Sequence, residues 1–273
     1  KRECIMNLKL LHIFLLSTAG TFLLCTPFIN TVELANGLVT GKMCWFHLAM
    51  LFFSVCVFFV MLTKKGTVIA FTFSDPLVLF FAGGVLITYK WNLNPEPEKL
   101  IFAGQLVILW FLLRYVLTAY REFKFFFLFV LMFTGLIEAV WGMQQLHGYS
   151  HSNHSLFRLT GSFFNPGPYS GYIAVILPVC LWTALRFQKG MHYFAWICVG
   201  AILIVLPAGM SRSAWIAAVV ACGWVYWTER IGWEKTKAVY RRYKNATIPF
   251  VAIVAILAGC AIAGGYGMKR DSA

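Results

Sequence analysis

The chain has 273 residues, of which 60% are hydrophobic and only 12% are charged, and its formal net charge at pH 7 is +13. About a quarter of the residues of a soluble globular domain are charged, so this composition excludes an ordinary soluble protein. The basic residues lie between apolar runs and form no patch with interleaved aromatic residues, so they indicate topogenic charge in a membrane protein rather than a nucleic-acid interface.

Apolar runs of about 20 residues, each long enough to cross a bilayer as a helix, recur along the chain. They predict an all-α, polytopic integral membrane protein, organised as a single transmembrane helical domain over residues 1–273. The about nine predicted transmembrane helices lie near residues 10–29, 43–62, 71–89, 100–118, 123–143, 169–187, 192–210, 212–228 and 246–266.

Two of these predicted spans need comment. The basic N-terminus and its apolar stretch are similar to a signal peptide, but the apolar core continues past Ser17 to Gly20, which indicates a retained first span. In the third span, Asp75 and Pro76 interrupt the apolar run. We expect its first residues to lie along the membrane surface and the crossing to start near Pro76.

The distribution of lysine and arginine predicts the orientation of the chain. With a cytoplasmic N-terminus, sixteen of the 23 basic residues fall on the inner side and seven on the outer side, as the positive-inside rule requires. The segment 144–168 and the short turn around Ser211 then share the outer side.

The cysteines and the histidines form no convincing metal-binding pattern. The eight cysteines lack C-x-x-C spacing and mostly lie inside apolar runs, which supports neither a zinc site nor a disulfide framework. His147, His151 and His154 are spaced like one helical face, but the glycine, serine and asparagine residues between them indicate a loop. We therefore expect exposed loop histidines, with no metal and no cofactor.

Glu138 lies in the outer half of the fifth predicted span. A carboxylate inside a span is costly unless it is paired, protonated or beside a wet cavity, so Glu138 is a candidate catalytic residue. Glu138, Trp141, Gly142 and Gln145 follow the i, i+3, i+4, i+7 spacing of one helix face, which makes Gln145 a candidate substrate-binding residue. A structural glutamate paired with a neighbouring helix is the alternative.

The segment RLTGSFFNPGPYSGY places Arg158 and a rigid turn directly before the sixth predicted span. The two prolines in residues 165–168 lack an N–H and fix their own φ, so we expect the helix to open only at Tyr169. Gly161 and Gly167 permit close approach of the backbone to a ligand. The free N–H groups of the helix start and the nearby arginine predict an anion site, whereas a helix start that binds nothing is the alternative.

The segment LPAGMSRSAWIAA contains a second helix start. Pro207 and Gly209 end the seventh predicted span, and Ser211 is a candidate N-cap of the eighth and a candidate substrate-binding residue. Arg212 in the first turn is unfavourable by a few tenths of a kcal/mol against the helix dipole unless an anion or a carboxylate is its partner. Snorkelling of Arg212 to lipid headgroup phosphates is the alternative.

The two outward-facing helix starts predict a common anionic ligand at the membrane–water boundary. A lipid diphosphate fits, because its tail lies in the bilayer and its phosphates lie at the interface. Arg158 and Arg212 would then be catalytic residues, because arginines and helix N-termini stabilise a departing diphosphate without a metal.

At these residues the chain resembles the O-antigen ligase and O-antigen polymerase superfamily of bacterial membrane glycosyltransferases. RLTGSFFNPGPYSGYIAVILP is similar to the family's arginine, G-[TS]-F-x-N-P-N motif and apolar helix, GMSRSAWIAA to its S-R-G-x-W segment, and IEAVWGMQQLHG to the stretch before the first motif. The order and spacing match, and the likeness covers roughly residues 65–273. Gly167 and Ser213 depart from the family pattern, which has Asn and Gly there.

The resemblance implies a GT-C-like helical bundle in the bacterial inner (cytoplasmic) membrane. Such an enzyme transfers a glycan from an undecaprenyl-diphosphate carrier to a glycan or lipid A-core acceptor on the periplasmic side, without a metal. By position, Arg158 and Arg212 are implied to face the diphosphate, while Gly161, Asn165 and Pro166 are implied to shape the donor pocket.

The resemblance also implies that part of the protein is missing from this sequence. The family's large periplasmic loop, which carries a histidine implicated in catalysis, would follow the last predicted span, and KRDSA resembles its beginning. We therefore expect an N-terminal fragment that is inactive alone.

A multi-spanning transporter or flippase for a lipid-linked or anionic solute is the main alternative function. Transporters place charges and broken helices near the bilayer midplane, often in repeated halves. Here the arginines lie at one surface and no internal repeat is visible, which favours the enzyme. A membrane scaffold without chemistry would leave the two arginine-bearing helix starts unexplained.

Overall fold

A computed structural model describes residues 2–31, 36–64, 72, 74–92 and 96–231. Within these ranges the chain is helical and contains no strand, which confirms the predicted all-α class. The eight α-helices are α1 (Arg2–Leu24), α2 (Gly37–Thr63), α3 (Ser74–Trp91), α4 (Pro97–Ala119), α5 (Arg121–Leu146), α6 (Pro166–Arg186), α7 (Gly190–Val205) and α8 (Arg212–Tyr226). Short 3₁₀ turns occupy Thr26–Phe28 and Pro207–Gly209, and a π-helical turn occupies Trp227–Ile231.

Six helical segments in the described part of the chain are long and apolar enough to cross a membrane, which makes this a multi-pass membrane protein. They are Met6–Leu24, Gly37–Thr63, Pro97–Ala119, Arg121–Leu146, Pro166–Arg186 and Gly190–Gly209. The third and eighth predicted spans form α3 and α8, which are not among the six. Helix α8 has 15 residues and continues directly into the π-helical turn Trp227–Ile231. The ninth predicted span, 246–266, lies outside the described residues.

The chain divides into two compact units. The first comprises Lys1–Thr26 and Thr40–Leu128, and the second comprises Pro27–Val39 and Phe129–Ala273. Helix α5 contributes residues 121–128 to the first unit and 129–146 to the second. Every residue of the predicted site belongs to the second unit.

Buried polar contacts organise one end of the first unit. The ring nitrogens of buried His12 lie 2.5 Å from the Tyr120 hydroxyl and 2.8 Å from the Thr63 hydroxyl. Lys64 donates to the carbonyl of Ala119 over 2.5 Å. These contacts bring the first half of α1, the end of α2 and the α4–α5 junction together.

Helix α3 starts close to Pro76, where the sequence predicts that the crossing begins. The helix begins at Ser74, so Pro76 lies within its first turn, where a proline costs no intrahelical hydrogen bond. Asp75 is buried and forms an ion pair with Arg114 of α4. It also accepts from the Thr72 backbone N–H over 2.7 Å, which satisfies a carboxylate that burial would otherwise penalise.

In the second unit, α6 packs against both α7 and α8. The largest side chains of this core that are shielded from solvent include Tyr169, Ile173 and Ile202. At the far end of α6, the Trp182 indole donates to Glu229 over 3.0 Å, and Glu229 follows α8. Helices α6 and α8 therefore run parallel, and α7, which connects them along the chain, packs on α6.

Candidate functional site

Gln145 fixes the loop that follows α5. Its Oε1 accepts from the backbone N–H groups of Thr160 (2.9 Å) and Gly161 (2.7 Å). Its Nε2 donates to the carbonyls of His151 (2.9 Å) and Gly161 (3.1 Å). These four bonds use both lone pairs and both protons of the amide. Gln145 therefore positions the loop, and the predicted direct substrate contact is not what its geometry favours.

Glu138 ties the same loop to the middle of α5. The side chain is fully buried, and its Oε2 accepts from the backbone N–H of Ser162 over 3.0 Å. The Tyr169 hydroxyl donates to the Glu138 backbone carbonyl over 3.1 Å. A carboxylate enclosed in this way positions the loop and the start of α6, and it does not face an open cavity as a catalytic group would.

Three of the four residues that were predicted to share one face of α5 are buried, and the fourth is not. Glu138, Gly142 and Gln145 are buried against the loop, whereas Trp141 is 37% exposed. An α-helix advances by about 3.6 residues per turn, so a residue at i+3 lies to one side of residue i. Trp141 falls on that flank.

Gly161 makes a close approach, but its neighbours are protein groups. Its φ is +55°, a left-handed conformation that side chains disfavour. A Cβ at this position would collide with Glu138 Oε2 and lie 2.5 Å from the Tyr169 ring. The glycine is therefore needed to seat the loop on Glu138, whereas the sequence led us to expect a ligand there.

The start of α6 corrects two expectations. The helix begins at Pro166 rather than Tyr169, because prolines are tolerated in a first turn, whose N–H groups have no intrahelical acceptor. Asn165 is the N-cap, and its Oδ1 accepts from the Gly167 N–H over 3.0 Å. A Cβ at Gly167 would meet only that oxygen, at an ordinary 3.5 Å, so no close approach requires this glycine.

The predicted free N–H groups are consequently missing from this helix start. Pro166 and Pro168 have none, the Gly167 N–H is held by the cap, and the Tyr169 N–H lies 3.5 Å from the Asn165 carbonyl. The positive end of the helix dipole remains, but α6 offers an anion no well-placed backbone donor.

At the start of α8, by contrast, the first backbone N–H groups are not capped. Ser211 occupies the N-cap position, but its hydroxyl makes no capping hydrogen bond and lies 3.3 Å from the Ser213 hydroxyl. The N–H groups of Arg212, Ser213 and Ala214 have no acceptor within the helix. The Arg212 side chain is exposed and has no ion pair among the residues that the structure describes.

Direct contact joins the two helix starts. Gly209, in the turn before α8, lies against Ser170 in the first turns of α6, and a Cβ on Gly209 would collide with the Ser170 hydroxyl. That hydroxyl is buried and has no hydrogen-bond partner in the described ranges. The turn around Ser211 and the start of α6 therefore lie at the same end of the second unit.

Arg158 lies at this end too. The residue is exposed and, among the described residues, makes no ion pair. It is three residues from Gly161, which contacts Tyr169, and Arg212 is three residues from Gly209, which contacts Ser170. The two arginines thus extend from backbone segments that both pack on the same turn of α6.

Arg158 also borders a cavity of about 400 Å³ on the surface of the second unit. Its other lining residues are Gln145, His147, Gly148, Ser150, His151 and Ser152. The sequence identified the histidines only as exposed loop residues, and it gave no reason to single out the serines. The sequence feature that could have indicated this cavity is the polar segment 147–165, which contains basic residues and no Asp or Glu.

A second set of hydrogen bonds keeps this loop folded. The Asn153 backbone N–H donates to the Thr160 hydroxyl over 3.1 Å, and its side chain donates to the Phe163 carbonyl over 2.9 Å. The buried Ser162 hydroxyl donates to the Pro27 carbonyl over 2.6 Å. Sequence reasoning missed these residues, although asparagine and serine are common in loops that bond their own backbone.

Comparison with known proteins adds no assignment to this geometry. The resemblance to the O-antigen ligase and polymerase superfamily remains a prediction from the motifs around Arg158 and Arg212. The chain matches no protein-family model, no curated protein and no solved structure.

Proposed function

We propose that the chain is part of a bacterial membrane glycosyltransferase that binds an undecaprenyl-diphosphate-linked glycan between Arg158 and Arg212. The observation that carries the proposal is the position of these two exposed arginines, which extend from segments packed on one turn of α6. In the reaction, the bond between the first sugar and the diphosphate breaks, and a bond to an acceptor oxygen forms. The acceptor is a glycan or a lipid A core.

The chemistry of the ligand supports this pairing. A guanidinium binds phosphate oxygens through two parallel N–H bonds, which makes arginine the best side chain for a diphosphate. The uncapped start of α8 adds backbone donors beside Arg212. Negative charge grows on the diphosphate as it departs, so donors already aimed at it lower the barrier to transfer.

Glu138 has a supporting role in this mechanism. It is fully buried behind Gly161 and accepts from the Ser162 N–H, so it does not take the proton of the acceptor hydroxyl. The resemblance implies that a histidine is the base that takes this proton.

The proposal also includes the finer topology. The N-terminus is cytoplasmic, about nine spans form a GT-C-like bundle in the bacterial inner membrane, and the loop 147–165 faces the periplasm. The positive-inside bias of the basic residues supports this orientation. The surrounding partners are membrane lipids, and no nucleic acid is involved.

Substitution of the two arginines tests the proposal. In the full-length protein, we expect Arg158→Ala and Arg212→Ala each to reduce glycan transfer by about 10²–10³-fold, because removal of one donor to a developing anion has that effect. Transfer is measured by appearance of the glycan on the acceptor, and membrane insertion is measured on the same samples. Arg186→Ala is the control, because Arg186 is a 66% exposed arginine at the opposite end of α6.

Two outcomes would refute the proposal. If both variants retain wild-type transfer, the arginines do not stabilise a diphosphate. If purified protein moves a lipid-linked glycan between the leaflets of a vesicle and transfers none, the transporter alternative is correct.

A further inference from the structure

The cavity beside Arg158 is lined by basic residues and by no acidic residue. Its ionisable lining residues are Arg158, His147 and His151, and none of its lining residues is acidic. The loop that forms it, residues 147–165, contains no Asp or Glu at all. The other lining residues are Gln145, Gly148, Ser150 and Ser152, and the Gln145 amide is already fully hydrogen-bonded to the loop.

We propose that this cavity binds an acidic sugar unit, a pyranose ring that carries a carboxylate. The inference rests on the proposed function, because it names a sugar class for the glycan that is transferred or extended at this site. At about 400 Å³, the cavity lies in the size range of small-molecule sites. The carboxylate binds Arg158, and the ring hydroxyls bind His147 and His151.

The hydrogen bonds of the lining residues fit such a ligand. His147 Nδ1 lies 2.8 Å from the Met143 carbonyl, which can only accept, so Nδ1 carries the proton. Nε2 is then left to accept from a sugar hydroxyl. Arg158 has five N–H donors, enough to contact the sugar and the diphosphate together.

The walls of the cavity are already held in place. Gln145 binds the carbonyl of His151, and the Ser152 hydroxyl donates to the Phe157 carbonyl over 2.6 Å. Little ordering of the backbone is therefore needed when a ligand binds, which removes one of the main costs of binding.

Binding of D-glucuronate to the full chain in lipid nanodiscs tests the proposal. D-glucose is the matched ligand, because it has the same ring without the carboxylate. By isothermal titration calorimetry, we expect glucuronate to bind at least about tenfold more tightly than glucose, as expected for a hydrogen-bonded charge. We expect Arg158→Gln and the double variant His147→Gln with His151→Gln each to lose about tenfold in glucuronate affinity.

His154→Gln is the matched control. His154 belongs to the same loop, but its ring lies against Phe157 and it does not line the cavity. We expect its glucuronate affinity to equal that of the wild type. The histidine variants keep the test decisive if the arginine variant fails to fold.

Three results would overturn the proposal: no saturable binding of glucuronate, equal binding of glucose, or an equal loss of affinity in the His154 control. A different result would refute the proposed function. Glucuronate binding by a protein that transfers no glycan supports the cavity and refutes the transferase, and transfer without glucuronate binding does the reverse.

Glucuronic acid 1-phosphate identifies the source of the sugar. If the acidic unit is the donor sugar next to the diphosphate, the added phosphate raises the affinity and Arg212→Gln removes the gain. If the unit belongs to the acceptor, the phosphate adds nothing. Either pattern supports an acidic sugar in the cavity.

Discussion

Replacement of Gly161 by alanine separates two costs that the structure assigns to this position. The first is conformational, because φ is +55°, where a residue with a Cβ loses about 1–2 kcal/mol. The second is steric, because the added Cβ would meet Glu138 Oε2 and the Tyr169 ring. Overpacking of this kind costs about 1–3 kcal/mol, so we expect a total destabilisation of about 2–5 kcal/mol.

Gly148→Ala is the matched control for this substitution. Gly148 also has a positive φ, +83°, and belongs to the same loop, but a Cβ there would meet nothing within 4 Å. The control therefore carries only the conformational cost of about 1–2 kcal/mol. The difference between the two variants isolates the collision with Glu138 and Tyr169.

Thermal unfolding of the purified variants in nanodiscs measures this difference. A loss of 1 kcal/mol lowers the Tm of a 150–250-residue protein by about 2–4 °C, so we expect Gly161→Ala to unfold about 2–12 °C below Gly148→Ala. If the two variants unfold at the same temperature, the loop does not rest on Glu138 as described. A larger loss in Gly148→Ala would refute the reasoning outright.

Two further substitutions test the packing of the site. Gln145→Ala removes four hydrogen bonds and leaves buried backbone groups unpaired, which costs about 1–3 kcal/mol for each group. We therefore expect hydrogen exchange of the loop amides to accelerate at least tenfold. The control Gln144→Ala should change little. Unchanged protection in Gln145→Ala would contradict its positioning role. Gly209→Ala should destabilise the α6–α8 contact by about 1–3 kcal/mol in thermal unfolding, with partial rescue by Ser170→Ala and no loss in Gly171→Ala, where a Cβ meets nothing within 4 Å. Equal losses in Gly209→Ala and Gly171→Ala would show that the two helix starts are not in contact.

The helices themselves could be predicted because hydropathy reports them directly. Each of the first eight predicted spans coincides with a helix, although the bounds differ by several residues. The largest difference in the site, at α6, arose because Pro166 and Pro168 were interpreted as helix breakers. Because proline lacks an N–H, it disrupts a helix at positions where that N–H would donate to a carbonyl of the preceding turn. Residues of the first turn make no such bond, so proline is tolerated there.

The candidate site was predictable as a set of residues but not as a set of contacts. A buried glutamate and a nearby glutamine signalled importance by their cost inside a membrane helix. That both side chains bind the backbone of the loop 160–162 depends on a chain reversal that hydropathy does not encode. Likewise, Gly161 was identified as a close approach, but the group approached is a protein carboxylate.

The contrast between the two helix starts gives the site a direction. The proposed diphosphate would meet backbone donors only at α8, because the N–H groups at the start of α6 are absent or already bonded. If the proposed lipid diphosphate binds here, its two ends are not interchangeable, and the carrier lipid binds in one preferred orientation. This orientation would fix which bond of the carrier lipid faces the acceptor.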